Sequence, residues 1–140
     1  MKKVAVVFWS GTGNTAAMAD AVAKGAQAAG ADVTKFEASS FGAGDVDKFD
    51  AIAFGCPAMG SEQLEDSEFE PMFDSVKGSL SGKSIALFGS YGWGDGEWMR
   101  SWEENCADAG ISLACDSVIC NDAPDDDALA ACKALGAALV

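Results

Sequence analysis

The chain has 140 residues, 49% of them hydrophobic, and carries 22 acidic against 9 basic side chains for a formal charge of −13. That size and apolar content predict one folded domain over residues 1–140 and exclude a disordered chain. The charge disfavours nucleic acid and anionic membrane as partners, both being polyanions, and the apolar runs are too short to span a bilayer.

A first strand is expected over residues 3–9, where Val4, Ala5, Val6, Val7, Phe8 and Trp9 run together. A helix follows over 14–29, capped by Thr12 or Asn14 and stopped by Gly30. Further strands are expected over 32–37, 51–56, 84–88 and 113–119, and helices over 68–80, 97–109 and 125–139. The stretch 39–47 reads as a loop with at most a short helix. Nearly all-apolar first and fourth strands suit burial on both faces, so the repeated βα units predict a doubly wound parallel sheet of five strands. A six-strand dinucleotide fold with a catalytic domain does not fit the length, whereas the order 2-1-3-4-5 does. In that order ligands bind outside the carboxyl ends of the first and third strands. The start, Met1-Lys2-Lys3, enters a strand pattern with no signal-peptide cleavage site, which predicts a cytoplasmic protein. Five cysteines without a C-x-x-C pair, and no histidine anywhere, read as buried reduced thiols and leave zinc and haem without their usual ligands.

Three loops at the strand ends carry the chemistry. Ser10, Gly11, Thr12, Gly13, Asn14 and Thr15 supply three hydroxyls, one amide, two glycines and no charge. Such a turn at a helix N-terminus holds a phosphate monoester through backbone N–H groups and hydroxyls. The same stretch matches the dinucleotide fingerprint formally at Gly11, Gly13 and Ala16, with Glu37 as an imperfect acidic partner. The loop after the third strand holds Pro57, Ala58, Met59, Gly60, Ser61 and Glu62. Gly60 permits either orientation of a tight turn, Met59 offers a polarisable thioether to a ring, and Glu62 can accept from a ring N–H. After the fourth strand come Ser90, Tyr91, Gly92, Trp93 and Gly94. Trp93, between glycines on a turn, is placed to stack on a ligand, while Trp98 and Trp102 at helical spacing read as core. A phosphate cradle and an aromatic clamp predict a planar nucleotide, FMN. Glu62, Glu65, Asp66, Glu68, Glu70 and Asp74, with Asp95, Glu97, Asp122, Asp125, Asp126 and Asp127, form either a solvated acidic face or a collar that steers basic partners.

At these three loops the chain resembles the short-chain flavodoxins, small FMN-binding electron carriers of bacteria, and the likeness covers essentially the whole chain. The resemblance implies that Ser10, Thr12, Asn14 and Thr15 hold the phosphate with their backbone amides. It implies that Met59 covers the inner flavin face and Trp93 the outer, that the Gly60 peptide flips toward N5, and that Glu62 meets N3. Backbone groups of Ser90, Tyr91, Gly92 and Gly94 would frame the pyrimidine edge, with Asn121 near the cofactor. Ser61 replaces the Asp of some relatives. The implied function is a low-potential one-electron carrier with non-covalent FMN, monomeric and not an enzyme. Its partners would be redox proteins with basic docking surfaces, such as flavin- or iron–sulfur-containing oxidoreductases. An FMN-dependent quinone or nitro-compound reductase is the alternative, although the acidic rim repels NAD(P)H phosphates. A phospho-acceptor signalling domain would need acids where Trp9 and Ser10 stand.

Overall fold

A computed structural model describes all residues except Thr12, Gly60, Ser61 and Trp93. Five parallel strands lie in the order β2-β1-β3-β4-β5: β1 is Lys3–Phe8, β2 Asp32–Glu37, β3 Ala51–Gly55, β4 Ser84–Tyr91 and β5 Val118–Asn121. The helices are α1 (Asn14–Ala28), α2 (Ala43–Val46), α3 (Phe69–Val76), α4 (Glu97–Asp108) and α5 (Asp126–Ala138).

Side-chain alternation along the strands divides the interior in two. On one face Val4, Val6, Ala51, Ala53 and Ala86 pack under α1 and α5. On the other, Ala5, Val7, Ile52, Phe54, Ile85 and Leu87 meet Phe69, Phe73, Trp98 and Trp102 from α3 and α4. Two glycines let α1 and α5 come close: a Cβ on Gly25 would run into the Lys133 carbonyl, and one on Gly136 into that of Val22. Aromatic rings fill the opposite face, with Phe69 and Phe73 each edge-on to Trp102 at 5.4 and 5.6 Å.

Several boundaries differ from expectation. β4 runs on to Tyr91, because Gly89, Ser90 and Tyr91 pair with Ile119, Cys120 and Asn121. β5 begins only at Val118; Leu113 makes an isolated bridge to Ile85, and the chain leaves the sheet between them. α3 ends at Val76 and passes into a 3₁₀ turn over Lys77–Ser79, at Gly78. The 39–47 stretch contains the single-turn α2, preceded by a 3₁₀ turn over Ala38–Ser40. All five cysteines are free thiols. Burial pushes the Cys56 and Cys132 thiols up to about 12 and Cys106 to about 11, so these three stay protonated and unreactive.

Candidate functional site

The turn from β1 into α1 leaves an anion site open. The helix N-cap is Gly13, held in the left-handed region at φ 96° where a side chain would be strained, and among the described residues no side chain caps it. Ser10 Oγ accepts from the Gly13 N–H at 3.0 Å, which folds the loop back over the helix start. Among the described residues no side chain accepts from the first-turn N–H groups, which leaves them open to an outside acceptor. Thr15, 1% exposed in that turn, has a buried Oγ1 with no hydrogen-bond partner among the described residues. An orphaned buried hydroxyl beside unpaired helix N–H groups fits an oxyanion such as phosphate.

Next to this turn, a cavity of about 210 Å³ opens at the carboxyl ends of β1, β3, β4 and β5. Trp9, Gly11 and Asn14 form one wall, Pro57, Ala58 and Met59 a second, Ser90, Tyr91 and Gly92 a third, and Asp122 closes it. Hydrogen bonds fix the walls: Ala58 N–H donates to Ser90 O at 2.9 Å, and Met59 and Gln63 pair across their turn. Met59 is 36% exposed, leaving its thioether free to cover an apolar ring. Tyr91 leans on Trp98, their centroids 5.5 Å apart, and the Trp98 Nε1–H donates to Cys56 O at 3.1 Å. Trp98 and Trp102 are core residues, each 1% exposed.

Ser10 and Gly13 line an adjoining cavity of about 260 Å³, with Glu37 and Glu68 opposite. Glu62 and Gly94 sit together on the far side of the β3–α3 loop, where a Cβ on Gly94 would run into the Glu62 carboxylate. Glu62 lines a third cavity, of about 390 Å³, and adopts φ 50°, a conformation costly for a residue with a Cβ. Its Oε1 is buried with no donor among the described residues, so this carboxylate can accept from a ligand N–H. Thr12, Gly60, Ser61 and Trp93, to which the phosphate contact, the peptide flip, the Asp replacement and the outer-face stacking were assigned, lie outside the described residues. Asn121 ends β5, immediately before Asp122.

Glu65 departs from the expected acidic collar. It is 5% exposed, and it accepts from the N–H groups of Glu68 (2.7 Å), Phe69 (2.9 Å) and Ser67 (3.0 Å) and from the Ser67 hydroxyl. Burial by itself would raise its pKa, but these four donors outweigh it and hold the carboxyl down at about 2. Glu65 is a structural acceptor at the start of α3. The rim is partly neutralised elsewhere: Arg100 donates to Asp95 Oδ1 at 3.0 Å, and this contact raises the guanidinium pKa further.

Two cavity-lining residues, Trp9 and Asp122, were not expected in the site from the sequence. Trp9 reads as the last residue of an apolar strand, and its position before the phosphate turn was the available signal. Asp122 was grouped with the rim, yet its backbone is fixed at φ 56°, its N–H donating to Tyr91 O at 2.8 Å and its C=O accepting from Ser90 Oγ at 2.7 Å.

A parallel sheet in this order, with an anion-ready helix start and a cavity at the switch point, defines an α/β nucleotide-binding protein. The family model described as Flavodoxin matches residues 6–136. The chain is 47% identical to the flavodoxin of Megasphaera elsdenii over 135 residues, covering 96% of each, and 45% identical to that of Clostridium beijerinckii, covering 86% of this chain and 88% of that one. Its backbone matches the solution structure of the two-electron-reduced M. elsdenii protein with a TM-score of 0.89 over 97% of each chain. An archaeal flavodoxin at 30% identity matches with a TM-score of 0.86, over 98% of this chain and 95% of that one. The chain belongs to the flavodoxin family.

Proposed function

We propose that this flavodoxin is a low-potential one-electron carrier that holds FMN non-covalently and shuttles electrons between redox enzymes. Flavodoxins bind FMN and transfer electrons between redox partners; they are not enzymes. The flavin supplies the redox chemistry, and the chain binds, orients and shields it. The buried, unpartnered Thr15 hydroxyl beside the uncapped start of α1 carries the reading, because it needs the acceptor that a flavin phosphate provides. We assign the phosphate to Ser10, Thr12, Asn14 and Thr15 with the backbone of Gly11 and Gly13. Met59 covers one ring face, with Pro57 and Ala58 beside it, and Trp93 covers the other. Glu62 accepts from the ring N–H, Gly60 lets the adjacent peptide turn toward the ring, and Ser90, Tyr91, Gly92 and Gly94 border the polar edge. Carboxylates around this site oppose added negative charge, which favours a low second potential.

The exposed acids Asp66, Glu70, Asp126 and Asp127 suit partners with basic docking surfaces, such as flavin- or iron–sulfur-containing oxidoreductases. No helix among the described residues is long and apolar enough to cross a membrane. We further propose a monomeric, cytoplasmic protein folded as one domain over residues 1–140. Fluorescence titration of the apoprotein tests the cofactor: FMN binds far more tightly than riboflavin. Equal affinities would overturn the phosphate assignment. Steady NAD(P)H turnover with quinones or nitro compounds by the holoprotein alone would make it a reductase.

A further inference from the structure

We propose that Trp9 is a positioning residue for the flavin, a latch that ties the phosphate-binding turn to the base of the loop carrying Met59; the inference rests on the FMN reading above. The Trp9 backbone is fixed first, its N–H donating to Gly55 O at 3.0 Å where β1 and β3 end. Its indole then reaches across the sheet edge, Nε1–H donating to Glu68 Oε1 at 3.3 Å. Glu68 is no free surface acid in this respect. It is the N-cap of α3, and its own N–H is held by Glu65 Oε1 at 2.7 Å. The Glu65 N–H donates in turn to Cys56 Sγ at 3.4 Å, which closes the base of the 57–64 loop onto the end of β3. On its other side, the six-membered ring of Trp9 supports Gly11: a Cβ there would lie 3.1 Å from Cη2 and 3.3 Å from Cζ3.

One indole thus touches the phosphate turn, bonds the base of the ring-binding loop, and lines both the 210 Å³ cavity and its 260 Å³ neighbour. Its seat sets the separation between the two ends of the cofactor. Deleting the N–H while keeping an aromatic ring frees the ring to move and lets the two loops settle independently.

The test uses the holoprotein and the apoprotein prepared from it, comparing Trp9→Phe, Glu68→Ala, Glu68→Gln and the double variant Trp9→Phe/Glu68→Ala. Dissociation constants for FMN and riboflavin and the first reduction potential are measured for each. Trp9→Phe and Glu68→Ala should each weaken FMN binding about three- to tenfold, the worth of one hydrogen bond. Riboflavin should be affected less, and both variants should move the first potential in the same direction. The double variant should be no worse than the weaker single one. Glu68→Gln keeps an acceptor oxygen and should stay near wild type. Identical behaviour of Glu68→Gln and Glu68→Ala would mean that charge alone matters and would overturn the latch. So would additive single effects, or a Trp9→Phe protein with wild-type FMN preference and potential. Glu68 is exposed, so its variants keep the test decisive even if Trp9→Phe unfolds. A wild-type protein that fails to bind FMN would instead overturn the cofactor reading.

Discussion

Two single residues show how the same sheet edge separates binding from stability. Among the described residues the buried Thr15 hydroxyl has no partner, which costs the apoprotein and, on the phosphate assignment proposed above, benefits the FMN-bound state. Thr15→Val should leave apoprotein stability unchanged or higher by up to about 1 kcal/mol, while weakening FMN about tenfold or more. Urea unfolding of the apoprotein and flavin titration read the two effects, and a destabilised apoprotein would show that Thr15 is already satisfied. Glu65 does the opposite, since its four donors are all within the chain. Its carboxyl falls from the ordinary 4.5 to about 2 on folding, so its contribution is complete above pH 4.5 and disappears as the pH falls through 2. Glu65→Gln should cost about 2 kcal/mol at pH 7, allowing for solvent screening, and distinctly less at pH 3. An equal loss at both values in urea unfolding would assign the effect to shape instead of charge. The hydroxyl-rich turn was legible in the sequence because its six residues are consecutive and lead directly into α1. Glu65 was not, because the donors it collects come from the backbone of its own folded turn.

At the level of elements, the helix pair α1 and α5 holds the turn before α1 in place by packing backbone against backbone. Alanine has the better helix propensity by about 1 kcal/mol, yet a Cβ at Gly136 meets the Val22 carbonyl. Gly136→Ala should therefore destabilise the apoprotein, by about 2 kcal/mol, with a smaller change in FMN affinity per folded molecule. An unchanged urea midpoint would show that the two helices can separate freely. The strands were read well where burial on both faces makes a continuous apolar run, as in Val4, Ala5, Val6 and Val7. They were read poorly at β4 and β5. Ser90 and Tyr91 carry turn-like composition but gain strand partners in Cys120 and Asn121, and such pairing is a long-range fact.

For the whole molecule, the acidic rim remains once Glu65 is removed from it and Asp95 is matched with Arg100. Changing Asp66, Glu70 and Asp126 to their amides removes three exposed charges and leaves the walls of the 210 Å³ cavity intact. Association with a basic reductase should slow, and its dependence on ionic strength should flatten. The second potential should become less negative by tens of millivolts at low salt, since each carboxylate at ~10 Å contributes ~0.4–0.8 kcal/mol. Stopped-flow kinetics across a salt series and spectroelectrochemistry measure these effects, and rates unchanged at every salt concentration would reduce the rim to a solubility feature.

Apolar runs and helix stops determined the βα alternation, because it follows from local periodicity, while the strand order 2-1-3-4-5 came from setting the chain length against the common parallel arrangements. Only the tertiary structure decided which polar groups remain without partners. Thr15 and Glu65 are both ordinary polar residues in the sequence, yet among the described residues one ends buried without a partner while the other ends buried with four donors. Tertiary structure alone also brought Trp9 and Glu68, 59 positions apart, to one hydrogen bond, and fixed Asp122 against Ser90. Those contacts depend on neighbouring strands ending at the same sheet edge, and a separation of that length along the chain leaves no periodic signal.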